Sequence, residues 1–178
     1  MCRHDCGTGQ GTSGNMKRIG ILSDTHAYWD DRYETFLRGC DEIWHAGDIG
    51  SYEIMERLSR IATLRAVWGN CDGQDVRRST TEIYRFKVED ANIMLKHIGG
   101  SPDHYDHSVR DQLMLETPHL FVCGHSHILK VMHDSKFNML FINPGAAGLQ
   151  GWQKVRTLVR LEIDGCSFRN LEVLEIKR

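Results

Sequence analysis

Five short segments of this 178-residue chain hold side chains able to do chemistry, and their spacing narrows what that chemistry is. Asp24-Thr25-His26 and His125-Ser126-His127 each set two ligating side chains at i and i+2. On an extended segment such positions point to the same side. Asp48, Asn70 and His125 each follow a glycine, as fits a sharp turn or a close approach to a ligand. His97 ends an apolar run. Together Asp24, His26, Asp48, Asn70, His97, His125 and His127 offer four imidazoles, two carboxylates and one amide oxygen. Seven donors exceed the needs of one tetrahedral ion and suit two ions sharing a carboxylate. Mixed imidazole and oxygen donors select Mn, Fe, Co, Ni or Zn over Mg, with Mn favoured. Two divalent ions outweigh two carboxylates, so the centre attracts phosphate oxygens. Ions about 3.5–4 Å apart can acidify a shared water and neutralise charge as phosphorus is attacked.

Such a centre needs elements that deliver each residue to one place. Ile19 to Leu22 is a short apolar run ending at Ser23-Asp24, as a buried parallel strand would. Tyr33, Phe36, Leu37 and Cys40 follow helical spacing, and Glu42 to Ala46 reads as a second strand ending at Gly47-Asp48. Ile54, Leu58 and Ile61 mark a second helix, and Leu64 to Trp68 a third strand ending at Gly69-Asn70. This is βαβαβ with polar residues at the carboxyl ends of the strands, where open α/β sheets place ligands. Strands are also expected at Tyr84 to Val88, Ile93 to His97 and Leu120 to Cys123, with a helix through Val109 and Leu113. A hairpin joins Ile128–His133 to Phe137–Ile142 around Asp134-Ser135, and Asp164-Gly165 turns Thr157–Ile163 into Leu171–Ile176. One mixed α/β domain with two packed sheets over residues 16–178 accommodates these elements. The first fifteen residues contain no Leu, Ile, Val or Phe and read as a flexible extension. There Cys2, His4 and Cys6 lack the second half of a metal site.

Composition excludes some functions. Twenty-two basic and 24 acidic residues give a net charge of -2, which provides no general field for nucleic acid or an anionic membrane. No apolar run approaches the roughly 20 residues that span a bilayer. Cys2, Cys6, Cys40, Cys71, Cys123 and Cys166 are scattered, and reduced thiols in a cytoplasmic protein are expected. The partner expected is a small phosphate ester, and a homo-oligomer is a common outcome for such a domain.

In order and spacing, Asp24-Thr25-His26, Gly47-Asp48, Gly69-Asn70-Cys71-Asp72, His97 and Gly124-His125-Ser126-His127 resemble the calcineurin-like metallophosphoesterases. The match is to their small phosphodiesterase branch, which also includes the retromer scaffold subunit. It spans residues 17 to 178 and takes in Asn143-Pro144-Gly145-Ala146. The resemblance implies a four-layer α/β/β/α sandwich of two mixed sheets, metals at the strand ends, and in-line attack by a metal-bridging hydroxide. Carried over by position, it puts Asp24, His26, Asp48 and His127 on one ion. Asp48, Asn70, His97 and His125 fall on the other, with Asp48 shared. Many relatives carry His after the Gly-Asn pair to assist the leaving oxygen. Cys71 stands there, as is common in the small branch, and a thiol of pKa about 8.5 is a poor substitute. Activated aryl esters are therefore expected to react faster than alkyl ones. A second departure is His97-Ile98-Gly99, where the family more often has His followed directly by Gly; the strand end keeps His97 in the set.

Two alternatives accompany the enzyme: a non-catalytic scaffold of the same fold, and a phosphomonoesterase. Retention of the whole ligand set favours the enzyme, whereas preference for a diester rests on the branch alone. Asp72 is expected to orient its neighbours by hydrogen bonds. His45 is expected to be a satisfied core residue, and His119 and His133 to be structural or exposed. His104 and His107 fit a solvated loop or the border of a substrate pocket. Tyr28 and Trp29 either flank substrate or pack.

Overall fold

The computed structural model describes residues 16–178. The glycine-rich extension and the Cys2-His4-Cys6 cluster lie outside the described residues. Strand β1 (Lys17–Leu22), helix α1 (Asp31–Leu37), strand β2 (Glu42–His45), helix α2 (Tyr52–Ile61) and strand β3 (Thr63–Ala66) form the first βαβαβ run. Helix α3 (Gln74–Ser79) leads to the antiparallel pair β4 (Ile83–Val88) and β5 (Ala91–Lys96). A small hairpin of β6 (Gly100–Ser101) and β7 (His104–Tyr105) precedes α4 (His107–Leu115) and β8 (Leu120–Val122). The chain ends in two antiparallel pairs, β9 (Leu129–Asp134) with β10 (Met139–Pro144) and β11 (Val155–Asp164) with β12 (Ser167–Lys177).

These strands make two five-stranded mixed sheets, in the orders β12-β11-β1-β2-β3 and β4-β5-β8-β10-β9. Within them β1-β2-β3 and β5-β8-β10 run parallel, which brings the carboxyl ends of both triplets to bear on one region. The alternation of side chains along each strand explains the layers. Ile19 and Ile21 of β1, Trp44 of β2 and Val159, Leu161 and Ile163 of β11 face inward. They pack on Ile93 and Leu95 of β5, Leu120 and Val122 of β8 and Ile142 of β10, forming the core between the sheets. The opposite face of the first sheet, with Leu22, Ile43 and Leu158, is covered by Tyr33 and Leu37 of α1 and Ile54 and Leu58 of α2. Met94, Phe121 and Phe141 on the outside of the second sheet are covered by Val109 and Leu113 of α4. The result is the expected α/β/β/α sandwich of two mixed sheets.

The expected elements differ from the structure at their edges. The first helix ends at Leu37, because Arg38 is extended and Gly39 has φ +81°; Cys40 still packs, but from beyond the helix. The second and third strands stop at His45 and Ala66, before their Gly-Asp and Gly-Asn ends. The β9–β10 turn falls after Asp134 rather than on it, and Asn138 takes φ +50° there. Helix α3 and the β6–β7 hairpin are additional elements.

Candidate metal centre

The loops that follow the parallel strands extend the sheet ladders a little further before turning away. Asp24 N–H donates to Gly47 O at 2.9 Å, His26 N–H to Asp48 O at 3.0 Å and Ala27 N–H to Ile49 O at 2.8 Å. In the second sheet Gly124 N–H donates to His97 O at 3.0 Å. Asp24, His26, Asp48, His125 and His127 all have φ between +46° and +68°. Such backbone is uncommon outside glycine, and clusters of it are concentrated at functional sites. Gly47, at φ +96°, makes the sharp turn expected before Asp48; a Cβ there would lie 2.6 Å from His97 Nδ1. Gly69 serves by close approach instead, since a Cβ on it would strike the Asp48 carboxylate.

Each buried carboxylate commits one oxygen to the backbone and turns the other toward imidazoles. Asp24 Oδ2 accepts from His125 N–H at 3.1 Å, and Asp48 Oδ1 from Cys71 N–H at 2.8 Å. The remaining oxygens face histidine. His127 Nε2 lies 3.1 Å from Asp24 Oδ1, while His97 Nε2 is 3.3 Å from Asp48 Oδ2 and 3.9 Å from Asp24 Oδ1. His26 Nε2 is 3.8 Å from Asp48 Oδ2. Asp24 Oδ1, His26 Nε2 and His97 Nε2 are buried and take part in no hydrogen bond. Lone pairs of carboxylate and imidazole crowded in this way repel one another unless a cation lies among them. The donor set thus fits a divalent metal.

The tautomers point the same way. His97 Nδ1–H donates to Ala46 O at 2.8 Å, which leaves Nε2 unprotonated in the neutral ring and facing the carboxylates. His127 Nδ1–H donates to Gln153 Oε1 at 3.3 Å with the same effect. Burial opposes charge on the His97 imidazole, but Asp48 and Asp24 outweigh it and raise its pKa. Asp24 chiefly, against burial, raises that of His127. Burial works against the Asp48 carboxylate, yet His97 and the Cys71 N–H hold it well below the usual carboxylate range.

The structure therefore brings Asp24, His26, Asp48, His97 and His127 together, with ligand atoms in overlapping groups that span no more than 4.8 Å. Cys71 joins His26 and Asp48 in one such group. Burial first, and Asp48 next, push the Cys71 thiol up, so it keeps its proton at neutral pH. His125 is exposed and stacks edge-on against His97, with ring centroids 5.3 Å apart. Asn70 is exposed at the rim and donates from its amide to Cys71 Sγ at 3.3 Å. Asp72 clamps two loops, accepting from Gly50 N–H at 2.7 Å and Gly69 N–H at 2.8 Å.

Three supporting residues had no assigned part in the sequence reading. Arg77 of α3 lies over Trp68 and donates to the carbonyls of Asp72, Gly69 and Asn70, fixing the Asn70 loop. Buried Asn143 donates to Gly124 O at 2.7 Å and Ser126 Oγ at 3.0 Å, holding the loop of His125 and His127. Its place in the Asn-Pro-Gly-Ala segment was the available signal. Gln153 is the third, and nothing in its local sequence marks it. His45 is fully buried and satisfied: Gly47 N–H donates to its Nδ1, and its Nε2–H reaches Thr25 Oγ1 at 2.9 Å. Tyr28 and Trp29 pack, under Arg156 and against Tyr33 respectively.

Comparison with known proteins agrees with this geometry. A probable metallophosphoesterase of Methanothermobacter thermautotrophicus is 28% identical over 160 residues, covering 83% of this chain and 86% of that protein. Among solved structures, wild-type Vps29 from Entamoeba histolytica complexed with zinc superposes with a TM-score of 0.67 at 17% identity, covering 90% of this chain and 98% of that one. An archaeal phosphodiesterase gives 0.66 at 20% identity, covering 88% and 99%. These two likenesses establish a shared fold. The sequence model of the calcineurin-like phosphoesterase superfamily domain matches residues 16–165, most of the described chain and all of the converging loops, and the protein belongs to that superfamily.

Proposed function

We propose that this chain is a metal-dependent phosphodiesterase holding two divalent transition-metal ions, manganese foremost, at the ends of its parallel strands. The observation that carries the reading is the convergence of Asp24 Oδ1, His26 Nε2 and His97 Nε2, all buried and none hydrogen-bonded, around Asp48. Asp24, His26, Asp48 and His127 would hold one ion; Asp48, Asn70, His97 and His125 the other, with Asp48 common to both. When bound, the ions supply an acidified water and neutralise charge on the phosphoryl group. The chain supplies the rest. Ala46 and Gln153 keep the Nε2 lone pairs of His97 and His127 free by accepting at Nδ1. Asp72 and Arg77 fix the Asn70 loop against the Asp48 loop. Cys71 holds its proton at Sγ beside Asp48 and is a weak acid toward a leaving oxygen. Rates should therefore depend steeply on the acidity of the departing alcohol, with aryl esters favoured.

The test is metal analysis of purified protein combined with assays on aryl phosphodiesters and phosphomonoesters in added manganese. Asp48→Ala should abolish hydrolysis and metal retention together. Full activity in that variant would overturn the bridging role. A loaded centre that hydrolyses no phosphoester would turn the reading to a scaffold, a role compatible with the fold shared with Vps29.

A further inference from the structure

Two cavities meet the centre, and they differ in size and charge. One, of ≈ 160 Å³, has His97 and Asn70 in its wall; the other, of ≈ 350 Å³, has His125. The two imidazoles pack edge to face with ring centroids 5.3 Å apart, so the two cavities adjoin across this pair. In the smaller, the buried Lys96 ammonium is paired with Glu82 at 3.1 Å, and Asp106 lines the same wall beside Trp68. Two carboxylates against one ammonium leave a negative balance, which suits hydroxyl or ammonium groups and repels anions. The larger cavity has no carboxylate in its lining. Lys130 and His104 bring basic groups, Ser101 and Ser126 hydroxyls, and Ile128 an apolar wall. Its volume accommodates a ring system.

A phosphomonoester has one organic arm and a phosphodiester has two. Building on the phosphodiesterase reading, we propose that these cavities are the two ester-arm subsites for an unsymmetrical phosphodiester. The smaller takes a small hydroxylated or amino alcohol, and the larger a ring-bearing alcohol of nucleoside size. Ile128 and Ser108, both exposed and each in the wall of one cavity, set the discrimination.

The experiment measures calorimetric affinity of the manganese-loaded protein for two product-like probes, thymidine 5′-monophosphate and phosphorylcholine. The comparison includes wild type, Ile128→Trp and Ser108→Trp, with thermal unfolding to confirm that each variant folds. Filling the larger cavity through Ile128→Trp should weaken thymidine monophosphate about tenfold and leave phosphorylcholine within about twofold. Ser108→Trp should do the reverse. Variants that change both probes alike, or neither, overturn the assignment. Hydrolysis of the p-nitrophenyl ester of thymidine monophosphate separates the two readings. With hydrolysis intact and no discrimination by the variants, the subsites fall and the phosphodiesterase stands. With discrimination present and no phosphodiester hydrolysed, the enzyme reading falls and the subsites stand.

Discussion

At Gln153 a side chain outside the proposed ligand set decides which nitrogen of His127 is free. Its amide N–H groups donate to Gly148 O at 3.3 Å and Gln150 O at 2.6 Å, which turns Oε1 toward His127 Nδ1. Gln153→Leu removes that acceptor at similar size, so His127 can protonate Nε2 and withdraw its lone pair. Loss of such a partner costs about 10–100-fold in metal affinity. Competition titration with a chelator should show that loss, and an unchanged dissociation constant would refute the orienting role. His45 gives a pH prediction. Burial lowers its pKa to about 4, against an ordinary 6.5, so folding favours the neutral ring. The associated stability is fully present above pH 6.5 and drains away as pH falls through about 4, amounting to about 3 kcal/mol. Denaturant titrations of chelator-treated protein should show this acid slope, and His45→Gln should flatten it; parallel slopes would contradict it. The five residues that the structure brings together were legible in the sequence, because each lies at or just past the end of an apolar strand run, although the i and i+2 pairs sit on left-handed rather than extended backbone. The positive φ of Asp24, Asp48 and His127 was not legible, since it is uncommon for any residue but glycine and here the closed loops enforce it. Gln153 and Arg77 were hidden for a related reason: each acts on a residue brought near by loop closure, with no periodicity to mark the contact.

Helix α1 is seven residues long and depends on what anchors it. Its N-cap Asp30 accepts from Arg32 N–H at 3.0 Å and also receives Arg156 Nη2 at 2.8 Å, from β11. Arg156 is 2% exposed and reaches Tyr33 as well, so one carboxylate both starts the helix and neutralises a buried cation on the sheet beneath. Asp30→Ala therefore loses a cap, worth about 1 kcal/mol. It also strands a buried charge, and breaking such a pair costs about 3–5 kcal/mol. Asp30→Asn keeps the cap and loses only the charge, so it should fall between wild type and Ala in urea unfolding. Equal losses in the two variants would mean that the cap contributes nothing separable, and an Asp30→Asn variant as stable as wild type would mean the same of the ion pair. This helix was readable from Tyr33, Phe36 and Leu37, yet its end was not, because Cys40 continues the apolar spacing from a non-helical position. Helix α3 buries only Val76 among its six residues, and β6 and β7 have two residues each. Elements that short carry too few apolar positions to show a period.

At the scale of the whole molecule, the centre lies on the seam between the two sheets. Asp24, His26 and Asp48 follow strands of the first, and His97, His125 and His127 follow strands of the second. Direct ties across this seam include His125 N–H to Asp24 Oδ2 and His97 Nδ1–H to Ala46 O, above a core made of packed apolar side chains. Bound metal would therefore join the two sheets as well as serve chemistry, and its binding energy would count toward the stability of the entire fold. At a free metal concentration 100 times the dissociation constant, one bound ion contributes about 2.7 kcal/mol. For a chain of this length it corresponds to an unfolding midpoint about 5–10 °C higher. Chelation should lower the midpoint by at least that amount while leaving one cooperative transition seen alike by tryptophan fluorescence and far-UV dichroism. Asp48→Ala, lacking the carboxylate proposed to be shared, should unfold at the same temperature with chelator or with manganese. A wild-type midpoint that stays put while elemental analysis records complete loss of metal would show that the ions serve the loops alone, with the sheets held by the apolar core.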